Sequence, residues 1–209
     1  SKCPLCPAPE TMREAVLSLE ESQLREVANG AIGRDDVLAF WFGESDEVTP
    51  DFVRQAAIDS IQKGETFYSP NLGLPELRAT IAETMTHRHC VSSSSSTKGV
   101  PIGPDRIAVT SGGVSALMLA MQALVDPGDD VVVVTPVWPN ITAQPRILGA
   151  RLTCVPLQPS PSGAWALDLP ALLTRVTDRT KLLVVNAPNN PTGWTLTAEE
   201  QTAILAHCR

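Results

Sequence analysis

The chain has 209 residues, of which 43% are hydrophobic and 19% charged, and its formal net charge is −7. That balance fits a globular protein that buries the core of one large domain, or of one and a half ordinary ones. An acidic chain without a basic patch excludes nucleic acid and anionic membrane as default partners. No apolar stretch approaches the roughly 18 residues of a membrane span, and the cytoplasm is the expected compartment.

Residues 1–10, rich in Cys and Pro, are expected to form a short extended or disordered arm. The five cysteines, Cys3, Cys6, Cys90, Cys154 and Cys208, are odd in number and scattered, which is no disulfide framework. Cys3-Pro-Leu-Cys6 lacks a second ligand pair at zinc spacing, since His87, His89 and Cys90 form no standard partner, so no metal site is expected. Partly helical spacing over residues 12–29 ends at Asn29-Gly30. A short apolar segment at 37–42 stops at Gly43-Glu44-Ser45-Asp46. Thr49 and Pro50 then predict a helix to about residue 63, with Thr49 as N-cap and Pro50 at the first helical position. A loop at 64–73 leads to a helix at 75–86, and five serines at 92–96 read as a surface loop.

From there strands and helices alternate. Strands are expected at 107–110, 131–135, 151–156 and 182–186. Helices are expected at 114–124, 141–148 and 169–175, and a capped helix begins near Thr197. This rhythm implies an α/β fold with a mainly parallel central sheet flanked by helices. Val131-Val132-Val133-Val134 is apolar on both faces, as a central parallel strand should be.

Four segments could carry chemistry. Asn186-Ala187-Pro188-Asn189-Asn190-Pro191-Thr192-Gly193 follows a buried strand and forms a stiff polar floor at its carboxyl end, where open α/β sheets bind ligands. Alone it also reads as an ordinary Asn/Pro/Gly turn. Ser111-Gly112-Gly113-Val114-Ser115 joins a strand to a helix, either as a phosphate-friendly set of backbone N–H groups or as tight packing that needs small residues. Thr135-Pro136-Val137-Trp138-Pro139-Asn140 presents a tryptophan for stacking on a planar ligand, or for the core. Gly64 to Arg78 contains Tyr68, the one tyrosine of the chain, whose phenol could donate to a phosphate or anchor the loop.

Taken in order, these segments closely resemble the class I/II aminotransferases, pyridoxal phosphate enzymes of fold type I. The likeness runs from about Glu21 to Arg209 and takes in Gly43-Glu44-Ser45-Asp46 with Thr49-Pro50. It implies an arm and part of a small domain in residues 1–45, and the N-terminal portion of an incomplete, cofactor-binding large domain in 46–209. It implies that Gly112, Gly113 and Val114 hold the phosphate of pyridoxal 5′-phosphate, that Trp138 stacks on its ring, and that Asn190 binds its phenolic oxygen. It further implies that Tyr68 reaches the phosphate in a neighbouring subunit, hence a homodimer, and that the Gly43 N–H lies near the substrate carboxylate. The expected reaction moves an amino group between an amino acid and a 2-oxo acid. An amide aimed at a ligand beside a proline is where cis peptides occur, which makes Asn190-Pro191 a candidate.

In that family the lysine that bonds the cofactor lies beyond the point that Arg209 reaches. The four lysines are Lys2, Lys63, Lys98 and Lys181. Lys98 precedes the phosphate turn instead of following Asn190, and Lys181 opens a strand, so no catalytic lysine is assigned and the chain is expected to be a truncated one. A C–S lyase or cyclopropane-forming synthase of the same fold would share these residues. A non-catalytic cofactor- or protein-binding remnant is the reading from a different class. A Rossmann nucleotide site is disfavoured, because Gly-Gly-Val-Ser-Ala lacks the glycine spacing and no acidic residue ends the 131–135 strand.

Overall fold

The computed structural model describes residues 12–91, 99–161 and 163–209. The Cys3–Cys6 pair, the serine tract and Lys98 lie outside them. The chain forms two compact units, residues 1–26 with 117–209, and residues 27–116. In chain order the helices are α1 (Glu14–Leu17), α2 (Gln23–Asn29), α3 (Asp51–Gln62), α4 (Pro75–Thr86), α5 (Gly113–Leu124), α6 (Pro139–Ile147), α7 (Leu169–Arg175) and α8 (Ala198–His207). The strands are β1 (Asp130–Thr135), β2 (Arg151–Pro156), β3 (Gln158–Pro159), β4 (Trp165–Ala166) and β5 (Thr180–Val184).

The first unit is built on β1. It lies between β2 and β5 and runs parallel to both, with Val131 opposite Leu152 on one side and Leu182 on the other. Its side chains alternate between two apolar layers. Val131 and Val133 pack with Val125 and Ile141, and Val132 and Val134 with Val155, Leu157, Leu172, Val176, Trp194 and Ile204. Helix α6 contributes to the first layer, α7 and α8 to the second, which is the two-sided cover that a parallel sheet requires. Burying the four valines is worth on the order of 6–12 kcal/mol before chain entropy is charged against it.

Local signals set most of the boundaries. Thr197 accepts from the Glu200 N–H while the Glu200 carboxylate accepts from the Thr197 N–H, a reciprocal cap that starts α8. Asp168 caps α7 through the Ala171 N–H at 2.9 Å. Ser22 accepts from the Arg25 N–H and starts α2, so the helical spacing of 12–29 is realised as two short helices. The β3–β4 hairpin, two residues a side, was not legible as strands. β5 starts two residues earlier than the apolar run suggests, because its pairing with β1 extends to Thr180.

In the second unit α4 is tied down by Arg78, which donates to Ile107 O at 2.8 Å and Pro104 O at 2.6 Å. Gly73 has φ +96°, and a Cβ there would lie 2.6 Å from Val109 Cβ, so backbone geometry and packing both require glycine. Two expectations need correction. Helix α3 begins at Asp51, with Pro50 in the capping position and no side-chain cap, so Thr49 does not serve as N-cap. Residues 107–110 join no ladder among the described residues. Val109 instead donates to Leu72 O, because no neighbouring strand there offers a row of groups to pair with.

At the amino edge of the sheet Arg151 donates to Asp130 at 2.7 Å, and Arg179 lies 3.6 Å from the other carboxylate oxygen. The hydrogen bond from Arg151 holds the Asp130 carboxyl below the usual carboxylate range. A depressed folded-state pKa means that this pairing stabilises the fold above the ordinary range and stops doing so as pH falls through the folded value. Asp130→Asn is therefore expected to lower the urea midpoint at neutral pH, and the gap from the parent should close on acidification.

Candidate functional site

Strand order marks a candidate edge in the first unit. From β1 the chain crosses to β2 on one side, then returns past β1 to β5 on the other. The loops leaving the carboxyl ends of β1 and β5 therefore meet where the direction of winding reverses, the position at which open parallel sheets hold ligands.

Trp138 sits on the first of these loops. It occupies the capping position of α6, with the Ile141 N–H donating to Trp138 O at 3.0 Å, and Pro139 opens the helix. The ring is half-buried and packs against the layer of Val131, Val133 and Ile141. One part of the side chain thus rests on the sheet layer and the rest is accessible.

Asn190 sits on the second loop and is exposed, between buried Asn189 and exposed Pro191. The peptides Thr135–Pro136, Ala187–Pro188 and Asn190–Pro191 are cis. Asn189 is only 6% exposed. Its side-chain amide donates to Pro136 O at 2.9 Å and to Thr192 Oγ1 at 2.8 Å, and the Asn186 amide donates to its oxygen at 3.3 Å. Trp194, 8% exposed, anchors the end of the turn in the second apolar layer. The structure thus joins the Trp138 and Asn190 loops directly. Neither Asn189 nor Trp194 was singled out from the sequence, since three asparagines in one motif look alike until burial separates them.

Gly43, Tyr68, Gly112, Gly113 and Val114 belong to the second unit. Gly112 has φ +119°, and a Cβ on either Gly112 or Gly113 would meet no atom within 4 Å. Tight packing therefore does not explain these glycines. The first is required by backbone geometry, and the second keeps the approach to the helix start open. Thr110 Oγ1 donates to Gly112 O at 2.9 Å, Ser111 and Ser115 hydroxyls share a hydrogen bond at 3.2 Å, and the Ala116 N–H closes the first helical turn onto Gly112 O. Val114 is 45% exposed at the start of α5. Gly43 is exposed with open space at its Cβ position. Tyr68 is fully exposed, at 106%, beside Phe67 at 92%. Among the described residues no group of His, Cys, Asp and Glu has the arrangement of a metal site, and no helix is long and apolar enough to cross a membrane.

A family model described as "Aminotransferase class I and II" matches residues 36–209. The probable aspartate/prephenate aminotransferase of Aquifex aeolicus is 36% identical over 83% of this chain and 41% of its own length. The aspartate/prephenate aminotransferase of Thermus thermophilus is 37% identical over 76% of this chain and 38% of its own. Among solved structures, the Thermus thermophilus aspartate aminotransferase with maleate superposes with a TM-score of 0.81 at 32% identity, covering 94% of this chain and 50% of that one. The N-succinyldiaminopimelate aminotransferase of Mycobacterium tuberculosis gives 0.70 at 36% identity, over 80% and 41%. The chain therefore spans about half the length of the relatives it matches.

The two glycines of the turn should respond differently to a methyl group. Gly112→Ala is expected to cost about 1–3 kcal/mol, the usual penalty for a non-glycine residue forced to such a φ. Gly113→Ala should stay within about 0.5 kcal/mol of the parent, as a surface change without a clash does. Urea unfolding of the two variants checks both numbers.

Proposed function

We propose that this chain, which belongs to the class I and II aminotransferases, supplies the first half of a pyridoxal phosphate-dependent enzyme that moves an amino group between an amino acid and a 2-oxo acid. The observation that carries the reading is the pair of joined loops, bearing Trp138 and Asn190, at the reversal point of a parallel sheet in a chain of this family. Residues 1–45 would then form an arm and part of the small domain, and 46–209 part of the large domain.

The residues present fit the cofactor. An open Gly112-Gly113 turn can bring backbone N–H groups close to a phosphate, which a side chain at Gly113 would crowd, and α5 begins at that point. Together with Val114 these glycines would hold the phosphate, Trp138 would lie on the ring face, and the Asn190 amide would donate to the phenolic oxygen. When bound, pyridoxal phosphate supplies the aldehyde that takes up the amino group and the ring that withdraws electrons from the substrate Cα. The chain's own work is orientation and charge: the backbone N–H of Gly43 is assigned to the substrate carboxylate.

A homodimer is part of the proposal. Tyr68 is accessible for donation to a phosphate held by a second copy, and α3 beside it buries no residue, with Phe52 78% and Ile61 68% exposed. A lone twelve-residue helix is marginal in water, so cover for that face is to be expected. Free thiols at Cys90, Cys154 and Cys208 are in keeping with a reducing compartment such as the cytoplasm.

None of the four lysines is assigned to the cofactor. Lys181 lies near the amino end of β5, the opposite end from the Asn190 loop, and Lys63 caps the end of α3. Incubating the 209 residues with pyridoxal phosphate and reducing with borohydride should label no lysine stoichiometrically. No turnover of aspartate with prephenate, the pair that the relatives' names suggest trying first, is expected. Reversible binding of the cofactor should nevertheless be measurable. Its absence would remove the functional reading, and stoichiometric labelling of one lysine with turnover would overturn the assignment of the catalytic lysine. In a dimer, Tyr68→Phe should weaken cofactor retention by about 1.5–3 kcal/mol, one hydrogen bond to a charged group.

A further inference from the structure

We propose that Asn189 is a positioning residue that holds the Trp138 and Asn190 loops in one fixed relation, so that a flat ring is contacted on its face by one loop and at its edge by the other. The inference rests on the functional reading above. Asn189 sits between exposed Pro188 and exposed Asn190, yet it is 6% exposed and every polar group it has is engaged. Its N–H donates to Trp194 O and its carbonyl accepts from the Gly193 N–H, both at 2.8 Å. Its side-chain amide donates to Thr192 Oγ1 and Pro136 O, and its side-chain oxygen accepts from Asn186.

Four of these five bonds close the 186–194 turn on itself. The fifth does not: it reaches 53 positions back along the chain to Pro136, two residues before Trp138. No turn needs that bond. Its effect is to fix the distance between two loops that leave different strands, and Asn190 is the next residue along. Contacts to a ligand from two loops add their full strength only when the loops are held in the bound geometry beforehand.

Asn189→Asp separates this role from turn stability. The carboxylate keeps the shape, can accept from Asn186 and from the Thr192 hydroxyl, but, at a pH high enough to keep it ionised against its burial, cannot donate to Pro136 O. In the full chain, affinity for 4-deoxypyridoxine 5′-phosphate, a ring and phosphate probe that needs no lysine, should fall roughly tenfold, the worth of one buried hydrogen bond. Affinity for inorganic phosphate should not change. Thr192→Val, which weakens the turn and leaves the Pro136 bond in place, should lower the unfolding midpoint without altering the ratio of the two affinities. Amide exchange without ligand should rise in Asn189→Asp both at Val137, Trp138 and Asn140 and at 189–194. Exchange confined to 189–194, or an unchanged probe affinity, would overturn the positioning role while leaving the functional reading intact. Failure of the parent chain to bind the probe would overturn both.

Discussion

Burial of Val131, Val132, Val133 and Val134 on both faces of one strand is the constraint from which the first unit follows. A strand without a solvent face needs a neighbour on each edge and a helical layer on each side. β2 and β5 take the edges. The helices divide between the two sides according to the parity of the valine they cover. Because β2 and β5 flank β1 from opposite sides, the winding must reverse at β1, and the reversal leaves a gap between loops at the carboxyl edge. The candidate site is thus a by-product of how a fully buried strand is enclosed. The opposite edge carries the Asp130, Arg151 and Arg179 charges, which pair at the surface without entering the apolar layers.

The loops at that gap are stiff by composition and cross-linked by hydrogen bonds. Prolines at 136, 139, 188 and 191 restrict φ along both, and Asn189 converts what would be two independent turns into a joined floor. Trp138 and Trp194 divide the aromatic duties. Trp194 is committed to the core beneath the turn, while Trp138 rests partly on the layer of Val131 and Val133 and keeps the rest of its surface accessible. In the proposed function, a side chain supported in this way would present a face to the ring with little rotamer freedom left to lose.

The second unit follows a different logic. Among the described residues it depends on a few specific contacts, Arg78 to the carbonyls of Pro104 and Ile107 and Gly73 against Val109, instead of a continuous apolar layer. Much of its apolar surface is exposed, including Phe52, Ile61, Phe67 and Tyr68. The relatives that the chain matches are about twice its length, and in the proposed dimer a second copy would cover the surface around Tyr68.

What the sequence by itself determined were the features governed by neighbours along the chain. The run of four valines marked the central strand, Thr197 with Glu200 marked the start of α8, Pro75 the start of α4, and the motifs in their order marked the family. Each depends on spacing of a few residues, or on a pattern of residue types, and so is readable from one chain. Tertiary structure alone decided the rest. Whether 107–110 forms a ladder depends on a strand partner distant in sequence, and here Val109 makes a single bond to Leu72 O. Which asparagine of three is buried depends on where Pro136 O comes to lie, and whether the glycines at 112 and 113 answer to packing or to backbone geometry depends on what surrounds them. Contacts between residues far apart in the chain have no signature in local composition, because the same Asn, Gly or Trp serves equally well in a turn, a core or a site until the fold brings its neighbours to it.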